Sequence, residues 1–218
     1  MTAFAEWLNS FFSGMDAPLL GLYHELALHG GEIWTPLCRA VTFLGEKGLW
    51  MFAAAVILFF FPRTRKMAVC LFGAVCCGAL ITNVLLKDTV CRLRPFLADP
   101  GFTAFWNYIG APPEDGFSFP SGHATAAAAG MTALLLTGKK KSLWLGLGIP
   151  YVALMCASRN YLMAHYPSDV LIGAVIGVLS AFAAWAITRA IFSFLEAHRD
   201  APFCRFVLTF SLRKKKKA

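Results

Sequence analysis

The sequence predicts an all-α fold: a polytopic transmembrane helical bundle of five or six spans, with an amphipathic helix at its N-terminus. Three observations carry this. Hydrophobic residues make up 58% of the 218, and charged residues only 15%, against about 25% in an ordinary soluble domain. Mean hydropathy is +0.61. Long apolar runs alternate with short stretches in which the cations gather, the pattern by which a membrane protein marks its cytoplasmic loops.

The first segment, 1–45, is the least regular. Phe4, Trp7, Leu8, Phe11 and Phe12 recur at helical spacing, which makes one apolar stripe and favours a helix lying in the membrane interface. A helix packed on the core is the alternative. Residues 17–45 carry His24, Glu25, His29, Glu32 and Arg39, too many polar groups for a clean span, so a broken or partly inserted segment is expected there. No basic region followed by a cleavage site marks a signal peptide.

Residues 46–197 form the main domain. Five apolar runs read as spans: 48–62, 67–91, 121–138, 142–160 and 168–195. Most approach the ~20 residues that cross the hydrocarbon core, and their glycines and alanines permit close helix packing. Placing Arg63–Lys66, Lys139–Lys141 and the basic 198–218 tail on the cytoplasmic side makes the five spans alternate. The other face then receives Lys87, Arg92, Arg94 and Arg159. The net charge of +8 is thus distributed for a bilayer, and its placement argues against nucleic acid. The seven cysteines lie mostly in apolar segments without metal spacing, where cysteine acts as a small hydrophobe.

Three segments converge on the non-cytoplasmic face. In Lys87-Asp-Thr-Val-Cys-Arg-Leu-Arg94-Pro95, a helix would place Lys87 and Arg94 on one side, two turns apart, where two cations call for an anion between them. Snorkelling cations are the alternative. In Phe119-Pro120-Ser121-Gly122-His123, Ser121 is a good N-cap and Gly122 allows close approach to the backbone. The free N–H groups of that helix start suit an anion. A plain cap with an interfacial histidine is the alternative. In Ser158-Arg159-Asn-Tyr-Leu-Met-Ala-His165-Tyr-Pro-Ser-Asp169, Arg159 adds a fork-shaped cation. Asp169 stands where it could take the Nδ1 proton of His165, leaving Nε2 free for attack; a structural His–Asp pair is the alternative. The loop 96–119, with Phe96, Phe102, Phe105, Trp106 and Tyr108, reads as interfacial aromatics or a lid. Its Glu114 and Asp115 read as solvated charges.

Together the three segments match the tripartite signature K-x6-RP, PSGH and SR-x5-H-x3-D, and over residues 45–195 the chain resembles the type 2 phosphatidic acid phosphatase superfamily. The resemblance implies an integral membrane lipid phosphatase needing no metal or cofactor. It also assigns roles. Lys87, Arg94 and Arg159 bind phosphate oxygens, with Ser121 and Gly122 adding hydrogen bonds. His165 forms a phosphohistidine, His123 is general acid and then base, and Asp169 orients His165. The partners implied are a membrane lipid phosphate and the bilayer itself; undecaprenyl diphosphate, phosphatidylglycerol phosphate and phosphatidic acid all fit.

Alternatives are a lipid phosphotransferase, a vanadate haloperoxidase, whose usual soluble body fits poorly, and a non-catalytic lipid-binding or transport module. Small size and the lack of an Asn-x-Ser/Thr acceptor favour a bacterial plasma membrane, whereas Lys-Lys-Lys-Ala at residues 215–218 resembles a dilysine retrieval signal.

Overall fold

The computed structural model describes residues 1–211. It is helical throughout, with no strand among those residues. In chain order the helices are α1 (Ala3–Leu44), α2 (Leu49–Phe59), α3 (Arg65–Ala79), α4 (Lys87–Val90), α5 (Pro95–Ala98), α6 (Pro100–Tyr108), α7 (Gly122–Thr137), α8 (Lys141–Tyr161), α9 (Pro167–Ala197) and α10 (Pro202–Thr209). A π-helical stretch, Leu80–Leu86, joins α3 to α4.

Among the described residues three stretches are long and apolar enough to cross a membrane: Arg65–Ala98, α8 and α9. A fourth is reached if α1 and α2, bent by 42° at their junction, are taken as one. Helix α7, expected as a span, has 16 residues and measures about 24 Å at 1.5 Å per residue.

Within the N-terminal 45 residues the helical path breaks at Gly30, inside the 17–45 stretch where a broken segment is expected. They form one helix of 42 residues, capped by the Thr2 hydroxyl and kinked at Gly30, where paired glycines leave little to hold the helical path. The predicted stripe divides in two. Phe4, Trp7 and Phe11 face outward and stack in series, while Ala5 and Leu8 are buried against Val90 and Phe119. An arc as wide as i, i+3, i+4, i+7 and i+8 can serve two surroundings at once.

The region 96–119 is likewise not a plain loop. Pro95 and Pro100 each open a short helix, because proline's fixed φ suits a first helical position. Asp99 caps α6, accepting from Gly101 N at 2.7 Å and Phe102 N at 3.2 Å. Of its aromatics, Phe96 stacks on Trp106 at 4.8 Å and Phe105 packs against Leu20, Ala27 and Tyr161 of α1 and α8. Only Tyr108 is largely exposed.

Helices α7 and α9 make the approach that builds the site. Alanines line α7, and Gly173 and Gly177 on α9 meet its backbone directly. A Cβ on Gly173 would fall 2.6 Å from the Ser121 carbonyl oxygen, and one on Gly177 would strike that of Thr125. Small residues four apart let helices close to backbone contact. Two hydrogen bonds fasten the pair: Ser121 N donates to the Asp169 carbonyl at 3.1 Å and Thr125 Oγ1 to that of Gly173 at 2.9 Å.

At the far end of the bundle, Lys66 pairs with Glu196 at 2.9 Å. Arg65 is not a free loop cation: it is buried and donates to the carbonyls of Phe59, Val207 and Phe210. The cluster Arg213–Lys217 lies outside the described residues.

Candidate active site

A cavity of about 840 Å³ opens at the end of the bundle where α7 and α9 begin. Lys87, Arg94, Gly122, His123 and His165 all line it, so the three sequence segments do converge. Arg159 sits at the same place, fully buried. Ser121 and Asp169 are also fully buried, set back from the cavity wall.

The first segment reaches the site by a different route from the one expected. The helix carrying Lys87 stops at Val90, and Cys91 takes a left-handed conformation with φ 55°. Arg94 arrives on extended backbone as the residue before α5. Turn geometry, not a common helix face, brings the two cations together. The π-helical turn Leu80–Leu86 precedes Lys87. Within it Asn83 lies against Gly122, where an added Cβ would come within 3.0 Å of Asn83 Oδ1.

Ser121 caps α7, its hydroxyl accepting from Ala124 N at 3.5 Å. His123 follows in the first turn. Its Nε2 is buried without a hydrogen-bond partner among the described residues and lies 3.8 Å from Glu46 Oε2.

His165 is 1% exposed. Its Nδ1 donates to the Ser118 carbonyl at 2.7 Å, while Asp169 Oδ2 stands at 3.8 Å. The direct His165–Asp169 hydrogen bond expected from the sequence is therefore absent. A carbonyl oxygen can only accept, so the bond fixes the proton on Nδ1 and leaves Nε2 unprotonated, an acceptor. Arg94 Nη1 is 3.5 Å from that Nε2. Burial first, then Arg159, Arg94 and Lys87, hold the His165 imidazole well below its usual range, and the Ser118 bond opposes them.

Asp169 serves its surroundings instead. One oxygen accepts from Arg92 Nη1; the other accepts from the Ser118 hydroxyl and from Tyr166 N, closing the cap of α9. Arg92, one of the unexplained cations, turns away from the cavity. It lies 3.9 Å over the Tyr166 ring and donates to Asp16 Oδ2 at 2.8 Å and Asn9 Oδ1 at 2.7 Å. Asp16 in turn accepts from Ser168 N at 2.8 Å and Ser168 Oγ at 2.7 Å. Helix α1 is thereby tied to the start of α9 by a buried charged network that the sequence did not reveal.

Glu114, expected to be a solvated charge, is an ion-pair partner. It contacts Arg159 Nη2 and lies 3.5 Å from Arg94 Nη2. Arg159 Nε and Nη1 are buried with no hydrogen-bond partner among the described residues. Buried donors of that kind call for an acceptor, and a phosphate oxygen fits a guanidinium fork. Among those same residues, no three His, Cys, Asp or Glu side chains cluster as metal ligands.

Comparison with known proteins gives a consistent picture. A profile of the PAP2 superfamily matches residues 67–193. An undecaprenyl-diphosphatase of Sulfolobus acidocaldarius is 34% identical over 134 residues, or 61% of this chain and 60% of that protein's length. A lipid A 4'-phosphatase of Bacteroides thetaiotaomicron is 26% identical over 88% of this chain and 80% of its own. Among solved structures, Aquifex aeolicus LpxE superposes with a TM-score of 0.63 at 22% identity, covering 76% of this chain and 93% of its own. That likeness extends to the fold.

Proposed function

The chain belongs to the PAP2 superfamily, and on that premise we propose that it is an integral membrane lipid phosphatase working through a phosphohistidine at His165. The observation that carries the reading is the His165 ring, its proton held on Nδ1 by Ser118 and its Nε2 set in a cavity wall shared with Lys87, Arg94 and His123.

The three cations and the start of α7 receive the phosphate oxygens. The Nε2 lone pair of His165 forms the N–P bond as the P–O bond to the lipid breaks. His123 Nε2 gives its proton to the departing oxygen, and Glu46, 3.8 Å away, supports the protonated ring together with the bound anion. Water then attacks phosphorus, His123 takes its proton, and the N–P bond breaks to release inorganic phosphate. Phosphoryl transfer asks mainly for positioning and charge stabilisation, which this set of groups supplies.

The substrate is a lipid phosphate monoester or diphosphate, with undecaprenyl diphosphate, phosphatidylglycerol phosphate and phosphatidic acid as candidates. The lipid chain stays in the bilayer while its phosphate enters the cavity, which is far larger than a phosphate alone requires. Five or six spans would place the site on the non-cytoplasmic face of a bacterial plasma membrane. The basic groups at 63–66 and 139–141 lie at the opposite end of α3 and α7 from the site, in keeping with the positive-inside rule.

The test is phosphate release by the detergent-purified chain from these three lipids in EDTA, beside His165→Ala. Release by the parent alone is expected, with relative rates ranking the lipids. Release by His165→Ala at the parent rate would remove His165 as nucleophile.

A further inference from the structure

The carboxylate of Glu114 stands where the proposed reaction needs a phosphate. One of its oxygens contacts Arg159 Nη2, and the other lies 3.5 Å from Arg94 Nη2. Both guanidinium groups are buried, whereas the Glu114 side chain is 20% exposed and forms part of the cavity wall. A carboxylate and a phosphate offer the same pair of oxygens to a guanidinium fork, so the two compete for one seat.

The local backbone allows the side chain to leave without releasing the loop. Arg94 also donates to the carbonyls of Asp115 at 2.7 Å and Gly116 at 3.1 Å, which pins the segment independently of the carboxylate. Pro112 and Pro113 stiffen the approach. A turn of the Glu114 side chain toward the open cavity is enough to clear the fork.

We propose that Glu114 is a specificity-determining internal competitor: it holds the Arg94–Arg159 fork until a phosphate displaces it, and so sets how strong an anion must be to enter. This rests on reading the two arginines as phosphate ligands. A ligand whose binding-competent state is only partly populated loses affinity by that fraction. Phosphodiester headgroups, singly charged and crowding any bilayer, are turned away, as is the released inorganic phosphate. A lipid phosphate monoester carries up to two charges and adds the contacts of its chain, so it displaces the carboxylate.

The experiment measures binding of inorganic phosphate, and separately of phosphatidylglycerol as a phosphodiester, to the full-length detergent-purified chain and to Glu114→Gln by calorimetry. Thermal unfolding is followed with and without phosphate. The variant is expected to bind inorganic phosphate about tenfold more tightly, to bind phosphatidylglycerol measurably more tightly than the parent does, and to gain more in Tm from phosphate than the parent does. The larger Tm gain remains readable even if the unpaired arginines make the variant less stable alone. Equal or weaker phosphate binding by a folded variant would overturn the competitor role while leaving the arginines as ligands. No phosphate binding by either folded protein would overturn both.

Discussion

His165 donates its Nδ1 proton to the carbonyl oxygen of Ser118 across 2.7 Å, and Asp169, the carboxylate placed by spacing to take that proton, stands 3.8 Å away. Burial and the neighbouring Arg159, Arg94 and Lys87 depress the imidazole's affinity for a proton. The unfolded chain therefore takes up a proton at this residue first, near pH 6.5, and stability contributed by the neutral ring is lost as pH falls below that value. Ring 15N shifts, assigned against His165→Gln, are expected to report a His165 still neutral at about pH 6.5, where an ordinary imidazole is half protonated. A ring that titrates near 6.5 would contradict the site's electrostatics.

Asp169 accepts from the hydroxyl of Ser118, whose carbonyl takes the His165 proton, so the proposed mechanism gives it a positioning role through Ser118. Asp169→Asn is expected to cost roughly 10–100-fold in kcat, the scale of an outer partner's loss, and to destabilise by less than the cost of about 3–5 kcal/mol for a buried charge left with no partner, because Arg92 keeps Asp16. Ser118→Ala keeps the carbonyl and removes only the hydroxyl, so its kcat should fall less. Steady-state kinetics and thermal unfolding of the two variants test the order.

Asp16 extends the same network from α1. Both its oxygens are used, on Arg92 and Ser168, and it is 3% exposed. Asp16→Asn should lower Tm, reduce kcat with little change in KM, and combine with Asp169→Asn by much less than the sum of the two. A double-mutant cycle measures that coupling; additive effects would mean that the residues act separately.

Contact between α7 and α9 leaves no space at Gly177. Gly177→Ala should cost about 1–3 kcal/mol through overpacking and displace Ser121–His123 relative to His165, lowering phosphate release. Gly146→Ala, where a Cβ would meet nothing within 4 Å, should leave release unchanged. Purified protein of each, assayed for Tm and activity, separates the two.

What sequence could reveal was set by where the information lies. Lys87, Arg94, His123, Arg159 and His165 stand at fixed spacings in three segments, and all five meet at the cavity end of the bundle. The Ser118 acceptor is a backbone carbonyl, which any residue supplies, so no side chain advertises it. Glu114 reads as a loop charge because its partners are 20 and 45 residues distant in the chain, at Arg94 and Arg159. Asp16 pairs with Arg92 across 76 positions, beyond any local pattern. The length of α1 is obscured by its polar groups and by Pro18 and Pro36, whose break signals tertiary packing overrides, whereas Gly30 does mark the kink. In α5 and α6 the prolines start helices, although proline in an aromatic, glycine-containing stretch equally signals a loop.

The covalent step is the centre of the proposed mechanism. Rapid acid-free quenching of the purified chain with a 32P-labelled lipid phosphate should trap label on protein, stable to alkali and labile to acid, and peptide mapping should place it at His165. His123→Ala should slow both the appearance and the loss of label, because the same ring is acid in one step and base in the other, and His165→Ala should retain none. Full turnover by His165→Ala, or label mapped to another residue, would contradict the account.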